Sequence, residues 1–406
     1  GIESRYSKND ILGLYLNQIP YGSNAYGIAA AADTFFDKTV DQLTLEETAL
    51  LAALPQAPTY FSPYGTHIEE LLKRKDWVLD RMADARHINH DISEAAKKKQ
   101  IRFVPPRRTI RAPHFVMFVR EYLNEKYGED FVQRGGLRVI TTLDWKLQEH
   151  AERVINEGAK RNETLVGAKN AALVAIDPRN GDILAMVGSR DYFDVEHDGN
   201  VNVAIRPRQP GSAFKPFIYA TALEKGYTPK TILFDVPTEF NSFCDPDGTP
   251  GPNAQGFRQC YHPKNYDNNY RGPVTLKQAL AQSLNIPSVK LSYLAGVPDS
   301  IKTAKNFGIT TLKEPSRYGL TLVLGGAEVT LLEMTSAYGA FAQDGILHTK
   351  SAIISIEEAN GNILEQKKDI SIPVIGARVA RIINDILSDN NARVPVFSPT
   401  SSLYFP

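Results

Sequence analysis

The chain has 406 residues, 46 basic and 46 acidic, for a formal net charge of zero; 42% are hydrophobic and 23% charged. That length calls for two or three domains, the zero balance argues against nucleic-acid binding through bulk positive charge, and the composition excludes a wholly disordered or fibrous chain. No stretch reaches the ~20 apolar residues of a membrane span, and two cysteines exclude a disulfide scaffold and a four-cysteine zinc site.

Residues 1–85 are predicted helical. The segment 10–17 places Ile11, Leu12, Tyr15 and Leu16 at helical spacing. A Gly- and Tyr-rich turn over 20–27 leads into an alanine-rich helix. The next helix, over 43–51, opens on a capping-box pattern, Thr44 with Glu47. Pro55, Pro58 and Pro63 end it. A further helix over 68–85 turns Leu71, Leu72, Val78, Leu79 and Met82 to one side. From 86 to 165 the texture changes. A Lys-rich helix at 93–100 precedes a Pro- and Arg-rich connector after Val104, an alternating strand over 136–143 and a helix over 147–158. From Ala171 the pattern is strand, turn, strand: 172–176, Asp177-Pro-Arg-Asn-Gly181, then 182–187. Gly181 supplies the positive φ that the turn needs. Helices alternate with loops from 212 to 345, 240–271 is loop-like, and a second hairpin joins 352–357 to 361–364. Gly1-Ile-Glu-Ser-Arg at the start and Ser402-Leu-Tyr-Phe-Pro at the end both read as cuts in a longer protein.

The sharpest chemical signal is Gln209-Pro-Gly-Ser212-Ala-Phe-Lys215-Pro. Ser212 stands where a Pro-Gly turn meets an apolar helix, among free N–H donors and at the positive dipole end. Lys215, three residues on, shares its helix face. Desolvated there, it can lose its proton near neutral pH and take the proton of the hydroxyl. Ser-x-x-Lys occurs once in the chain, yet these four residues alone fit an N-cap serine and a solvated lysine at least as well. Ser283-Leu-Asn285 offers a second hydroxyl to relay a proton and an amide to hold the lysine. Alone it reads equally as a turn before Pro287, and Ser7-Lys-Asn9 and Ser388-Asp-Asn390 share its pattern.

Taken in order, longer runs carry a resemblance. Lys8-Asn-Asp-Ile-Leu-Gly-Leu-Tyr-Leu-Asn17-Gln-Ile-Pro-Tyr-Gly, Leu51-Ala-Ala-Leu-Pro-Gln-Ala-Pro and Arg74-Lys-Asp-Trp-Val-Leu-Asp-Arg-Met resemble late motifs of the family 51 peptidoglycan glycosyltransferases. Arg134-Gly-Gly-Leu-Arg-Val-Ile-Thr-Thr-Leu-Asp is similar to the linker that follows in that family. Arg208-Gln-Pro-Gly-Ser-Ala-Phe-Lys-Pro, Ala281-Gln-Ser-Leu-Asn-Ile-Pro and Leu324-Gly-Gly-Ala-Glu-Val-Thr-Leu-Leu-Glu-Met resemble transpeptidase motifs. The whole chain thus resembles the bifunctional class A penicillin-binding proteins, and it is the shared order that makes the match specific.

The resemblance implies a multidomain α+β protein. Residues 1–88 would be the C-terminal part of an α-helical, lysozyme-like glycosyltransferase lobe. Residues 89–165 would be a small mixed linker, and 166–406 an incomplete transpeptidase of helices around an antiparallel sheet. It further implies acyl transfer on D-Ala-D-Ala stem peptides. Ser212 would be the nucleophile, Lys215 its base, Ser283 the proton relay and Asn285 the group that orients the donor amide. Half of the oxyanion hole would be the Ser212 N–H. β-Lactams would acylate Ser212, and the transpeptidase would need no cofactor; whether the glycosyltransferase uses a divalent metal stays open. Lys8, Asn17 and Arg74 would bind substrate or hold the glycosyltransferase lobe. Glu46 and Glu47 are adjacent, diverge on a helix, and do not replace that lobe's acidic pair. The partners would be stem peptides and a lipid-linked disaccharide, at the extracytoplasmic face of the inner membrane through an upstream anchor, with no nucleic acid. Cys244 and Cys260 close a Pro- and Gly-rich loop, and a disulfide and two separate thiols both stay open. One departure stands out: no Lys-Thr-Gly or Lys-Ser-Gly occurs. Since Phe397-Ser-Pro-Thr-Ser-Ser-Leu looks like the segment before that motif, the expectation is a cut just upstream of it and a poorly active fragment. A non-catalytic cell-wall scaffold, a D-Ala-D-Ala carboxypeptidase and a β-lactamase are the alternatives, and residues 1–85 speak against the last.

Overall fold

A computed structural model describes residues 3, 5–23, 25–58, 60–65, 67–104, 110–194, 197–250, 260–402 and 404. The expected connector at 105–109 and parts of the end segment (403, 405 and 406) lie outside the described residues. The chain divides into two compact units, 1–111 and 112–406.

The first unit is helical: α1 (Lys8–Gln18), α2 (Ile28–Phe36), α3 (Leu45–Ala53), α4 (Ile68–Asp84) and α5 (His90–Lys97). Its core joins Tyr21, Phe35, Leu50, Leu51, Leu54 and Leu71. The capping-box pattern at α3 is used: the Glu47 carboxylate accepts the Thr44 N–H at 2.9 Å. α1 buries none of its residues, so its apolar spacing marks a helix without marking a packed face.

The second unit holds α6 (Pro113–Tyr127), α7 (Glu129–Arg134), β1 (Arg138–Thr141), α8 (Trp145–Val166), β2 (Leu173–Ile176) and β3 (Ile183–Val187). There follow α9 (Lys215–Glu224), β4 (Ile232–Asp235), β5 (Gly272–Thr275), α10 (Leu276–Ala281), α11 (Asn285–Ala295), α12 (Val297–Asn306) and α13 (Leu331–Ala342). The unit closes with β6 (Ile346–His348), β7 (Ile353–Glu357), β8 (Ile363–Gln366), β9 (Ser371–Pro373), α14 (Ala377–Ser388) and α15 (Asn390–Phe397). The expected antiparallel sheet is present as separate ladders, β1-β7-β8, β2-β3, β4-β5 and β6-β9, every one antiparallel. Both predicted hairpins form, β2 with β3 and β7 with β8.

The expected linker over 89–165 is not a separate body. α5 packs Ala96 against Leu79 of the first unit. β1 pairs with β7, more than 200 residues later, because its alternating residues complete that sheet. Phe115, Val119 and Leu123 of α6 share a core with Met186, Ile353 and Ile356. The helix predicted over 147–158 runs on through Gly158 to Val166, where the left-handed Gly167 ends it.

The main core of the second unit surrounds α9. Residues 215–223 are all buried, so this helix has no polar face and sits inside helices on every side. Phe217 packs on Phe307, Tyr338 and Phe341 at ring-centroid distances of 5.3–5.7 Å. The first residue of this buried helix is a lysine.

Candidate active site

Ser212 lies in the short 3-10 turn Gly211–Phe214 that runs straight into α9. Three contacts fix this turn. Arg208 and Val329 exchange backbone hydrogen bonds, both 2.9 Å. Tyr338 on α13 donates its hydroxyl to Ala213 O at 2.7 Å. Gly325 lies against Gly211 so closely that a Cβ on it would stand 2.3 Å from the Gly211 nitrogen. Gly325 also has φ +82°, which favours glycine in its own right. The Leu324-Gly-Gly run is therefore the back wall of the serine turn. Ser212 itself is exposed, which leaves its hydroxyl open to a substrate.

Lys215 is 1% exposed. Its Nζ donates to Ser283 O at 2.7 Å, Asn285 Oδ1 at 2.9 Å, Ser283 Oγ at 3.2 Å and Leu284 O at 3.2 Å. No carboxylate lies within ion-pair distance among the described residues. Burial without a counter-charge favours the neutral amine and pulls the pKa down to about 7. A neutral amine has two N–H bonds and one lone pair, so it can keep two of these acceptors and still receive a proton. Ser212 Oγ is not among the four present partners, and such contacts are often long before substrate binds.

The acceptors come from a sharp bend between two helices. α10 ends at Ala281, and Ser283 turns the chain with φ +54°, a costly conformation for a residue with a Cβ. That turn aims Ser283 O, Ser283 Oγ and Leu284 O at one point, the ammonium. α11 starts at once with Asn285, whose Oδ1 faces the lysine while its Nδ2 donates to Lys264 O at 2.7 Å. The structure thus joins Lys215, Ser283 and Asn285 directly and holds Ser212 at the mouth of the same helix.

Two residues absent from the sequence reading belong to this arrangement. Asn265 Oδ1 accepts the Asn285 N–H at 2.8 Å, and Asn265 Nδ2 donates to the Asp235 carboxylate at 2.8 and 2.9 Å. The span 240–271 was legible as loop-like, but nothing in it singled out Asn265. Nearby, Cys244 and Cys260 are bonded, with Cα atoms 5.7 Å apart.

The other candidates are in the first unit. Lys8 is the exposed first residue of α1, and the exposed Asn17 donates back to Gly13 O at 2.8 Å. Arg74 donates Nε to Ala53 O at 3.2 Å and lies over the Phe61 and Trp77 rings at 5.7 and 5.3 Å. No hydrogen bond joins any two of these three among the described residues. Glu47 is bound by Lys38 at 2.7 and 2.8 Å and Glu46 by Lys99 at 3.4 Å, so both carboxylates are taken by structure. No group of three or more metal-ligating side chains is present among the described residues, and no described helix is long and apolar enough to cross a membrane.

Comparison with known proteins places these features. Residues 1–83 match the transglycosylase family model, and residues 171–394 match that of the penicillin-binding protein transpeptidase domain. Penicillin-binding protein 2D of Bacillus subtilis is 33% identical over 395 residues, covering 95% of this chain and 54% of that protein. Penicillin-binding protein 1A of Aquifex aeolicus is 30% identical over 466 residues, covering 95% of this chain and 61% of that protein. The crystal structure of penicillin-binding protein 1A from Haemophilus influenzae is similar with a TM-score of 0.60 at 25% identity, over 95% of this chain and 73% of that one. The chain spans about half the length of the curated relatives it matches. With a transpeptidase match over more than half its length and a transglycosylase match before it, the chain belongs to the penicillin-binding proteins, in the two-part arrangement of the bifunctional class A members.

Proposed function

We propose that the native protein is a peptidoglycan synthase whose second unit cross-links D-Ala-D-Ala stem peptides by serine acyl transfer. The observation that carries this is Lys215, buried at the head of α9 with neutral acceptors only and a pKa of about 7. A structural lysine gains nothing from that environment, whereas a base needs it.

The step balances on these side chains and calls for no cofactor. Ser212 Oγ attacks the carbonyl of the penultimate D-Ala as its proton passes to Lys215 Nζ. The oxygen of that carbonyl takes the negative charge, and the Ser212 N–H donates to it. The C–N bond to the last D-Ala breaks, and its nitrogen takes the proton through Ser283 Oγ, which is 3.2 Å from Lys215 Nζ. A second amine, from a neighbouring stem peptide, then attacks the Ser212 ester and gives a proton to Lys215 Nζ; the ester C–Oγ bond breaks, Ser212 Oγ takes that proton back, and the amide cross-link is left. Asn285 holds the lysine through Oδ1, and it offers the N–H of Nδ2 that Lys264 does not use to the donor peptide. A β-lactam carbonyl enters by the same attack and stays as an ester on Ser212.

For the first unit we propose the late part of a glycan-polymerising lobe acting on a lipid-linked disaccharide. Arg74, fixed on Ala53 O and two aromatic rings, serves there as a packing residue; Lys8 and Asn17, being exposed, are the substrate contacts. The setting we propose is the extracytoplasmic face of the bacterial inner membrane, in keeping with the Cys244–Cys260 bond.

The test is acylation of the native gene product by a fluorescent penicillin, with the modified residue located by mass spectrometry. A stable adduct on Ser212, absent in Ser212→Ala, is expected. A folded protein that takes no label, or takes it elsewhere, overturns the proposal.

A further inference from the structure

α11 begins without a cap of its own. Its N-cap residue is Leu284, which has no side chain able to accept a hydrogen bond from the first turn. The first helical residue, Asn285, nevertheless has its N–H satisfied, by Asn265 Oδ1 from 20 residues earlier, at 2.8 Å. Asn265 is 4% exposed and its amide is fully used. Nδ2 donates to both oxygens of Asp235, at 2.8 and 2.9 Å, and to Asn269 O at 2.8 Å. Asp235, at the end of β4, is completely buried. It also accepts the Arg271 N–H at 3.1 Å, and the Arg271 guanidinium lies 3.9 Å away. The Asp235 carboxylate only accepts, so the Asn265 amide turns its Nδ2 to it, and that orientation puts Oδ1 at Asn285.

The consequence reaches the lysine. Every acceptor of Lys215 Nζ lies on the three residues Ser283, Leu284 and Asn285. Upstream that segment closes the end of α10, with the Ser283 N–H on Leu280 O at 3.0 Å and the Leu284 N–H on Ala279 O at 2.9 Å, and Ser283 is left-handed. Downstream it is held by Asn285, whose N–H goes to Asn265 and whose Nδ2 goes to the carbonyl of Lys264, and by the Ser288 hydroxyl, which donates to Leu284 O at 2.5 Å. We propose that Asp235 and Asn265 are positioning residues for acyl transfer. Asp235 orients Asn265, Asn265 caps α11, and the capped bend presents the oxygens that set Lys215 against Ser212. This rests on the acyl-transfer reading above and adds two residues to it, neither of which touches substrate.

The alternative is that the pair merely stabilises the loop, and the two roles separate in kinetics. Acylation of the native gene product by a fluorescent penicillin, followed by stopped flow, yields the non-covalent Kd and the rate of the covalent step. Displacing the base slows the covalent step and leaves Kd alone. In Asn265→Ala the covalent step is expected to fall by more than about tenfold, with Kd changed by less than about twofold. Asn265→Asp keeps an acceptor for the Asn285 N–H but sets a second carboxylate against Asp235, and it is expected to be equally slow. Adding Asp235→Asn to it restores a donor between the two side chains and one negative charge, so the double variant is expected to regain most of the rate. This pair of variants decides the matter even if Asn265→Ala does not fold. A folded Asn265 variant that acylates within about twofold of wild type, or a folded double variant that recovers nothing, overturns the inference. A wild-type protein that takes no label on Ser212 overturns the acyl-transfer reading itself, which is a different result from a wild type that labels and an Asn265 variant that labels as fast.

Discussion

Each unit of this molecule buries one lysine in its interior, and the two have opposite surroundings. Lys75 in the first unit is 3% exposed, with its Nζ 2.8 Å from the Asp76 carboxylate and 3.3 Å from Lys97 O. Lys215 in the second is 1% exposed and meets only neutral oxygens. A buried ammonium beside a carboxylate has its counter-charge in place. A buried ammonium among carbonyls and hydroxyls is held near the point of losing its proton. The missing counter-charge is what separates a base from a strut, and it cannot be read from the amount of burial.

The sharpest way to break this comparison is Lys215→Ala. Acylation of Ser212 by penicillin should fall by about 10²–10⁴, the contribution of a positioned general base. A loss of less than about tenfold would mean that another group takes the serine proton. The wall behind the serine comes next. Gly325→Ala places a Cβ 2.3 Å from the Gly211 nitrogen at φ +82°. The turn must move, and a shift near 1 Å at the nucleophile costs on the order of 10²-fold in rate. Gly128→Ala is the control. Its φ is +85° and a Cβ there would meet nothing within 4 Å. It carries only a backbone cost of about 1–3 kcal/mol and should label at the normal rate.

The pH profile follows in size. With Lys215 at about 7, the acylation rate should be half-maximal near that pH and fall about tenfold for each unit below it. The linked effect on stability has a definite sign. The folded-state pKa lies below the ordinary value of 10.5, so between about 7 and 10.5 the unfolded chain binds the extra proton. The contribution of this group to stability is full above the unfolded pKa and is lost as pH falls through about 7. Lys215→Met should flatten both the rate profile and that part of the stability profile. A wild-type acylation rate that does not change between pH 6 and 8 would remove Lys215 as the base.

How much of this was legible in the sequence depends on distance along the chain. The Ser212 turn and its lysine are three residues apart, and helical geometry alone puts them on one face. The two hairpins and the Glu47 cap are equally local, and all of them form. The pairing of β1 with β7 was not legible, because an alternating tetrapeptide does not name its partner 215 residues away. The division between residues 111 and 112 was not legible for the same reason. Ser283-Leu-Asn285 could be located only by resemblance, since a left-handed serine leaves no mark in composition. Asn265 and Asp235 lay beyond reach altogether. Their roles exist only where the end of β4, the loop at 265 and the start of α11 converge.

The smallest expected effect on acylation completes the comparison. Lys75→Met keeps the length of the side chain and removes the charge. It leaves Lys97 O without its donor and the buried Asp76 Oδ1 without its counter-charge. The cost should be a stability loss of about 1–3 kcal/mol, the usual penalty for an unsatisfied buried group, read as a lowered midpoint of thermal unfolding. The folded protein should take up penicillin at the wild-type rate, because Lys75 belongs to the core of the first unit and every partner of Lys215 to the second. If Lys75→Met instead slows acylation without lowering the unfolding midpoint, this lysine is no strut, and the presence of a carboxylate neighbour no longer distinguishes the two.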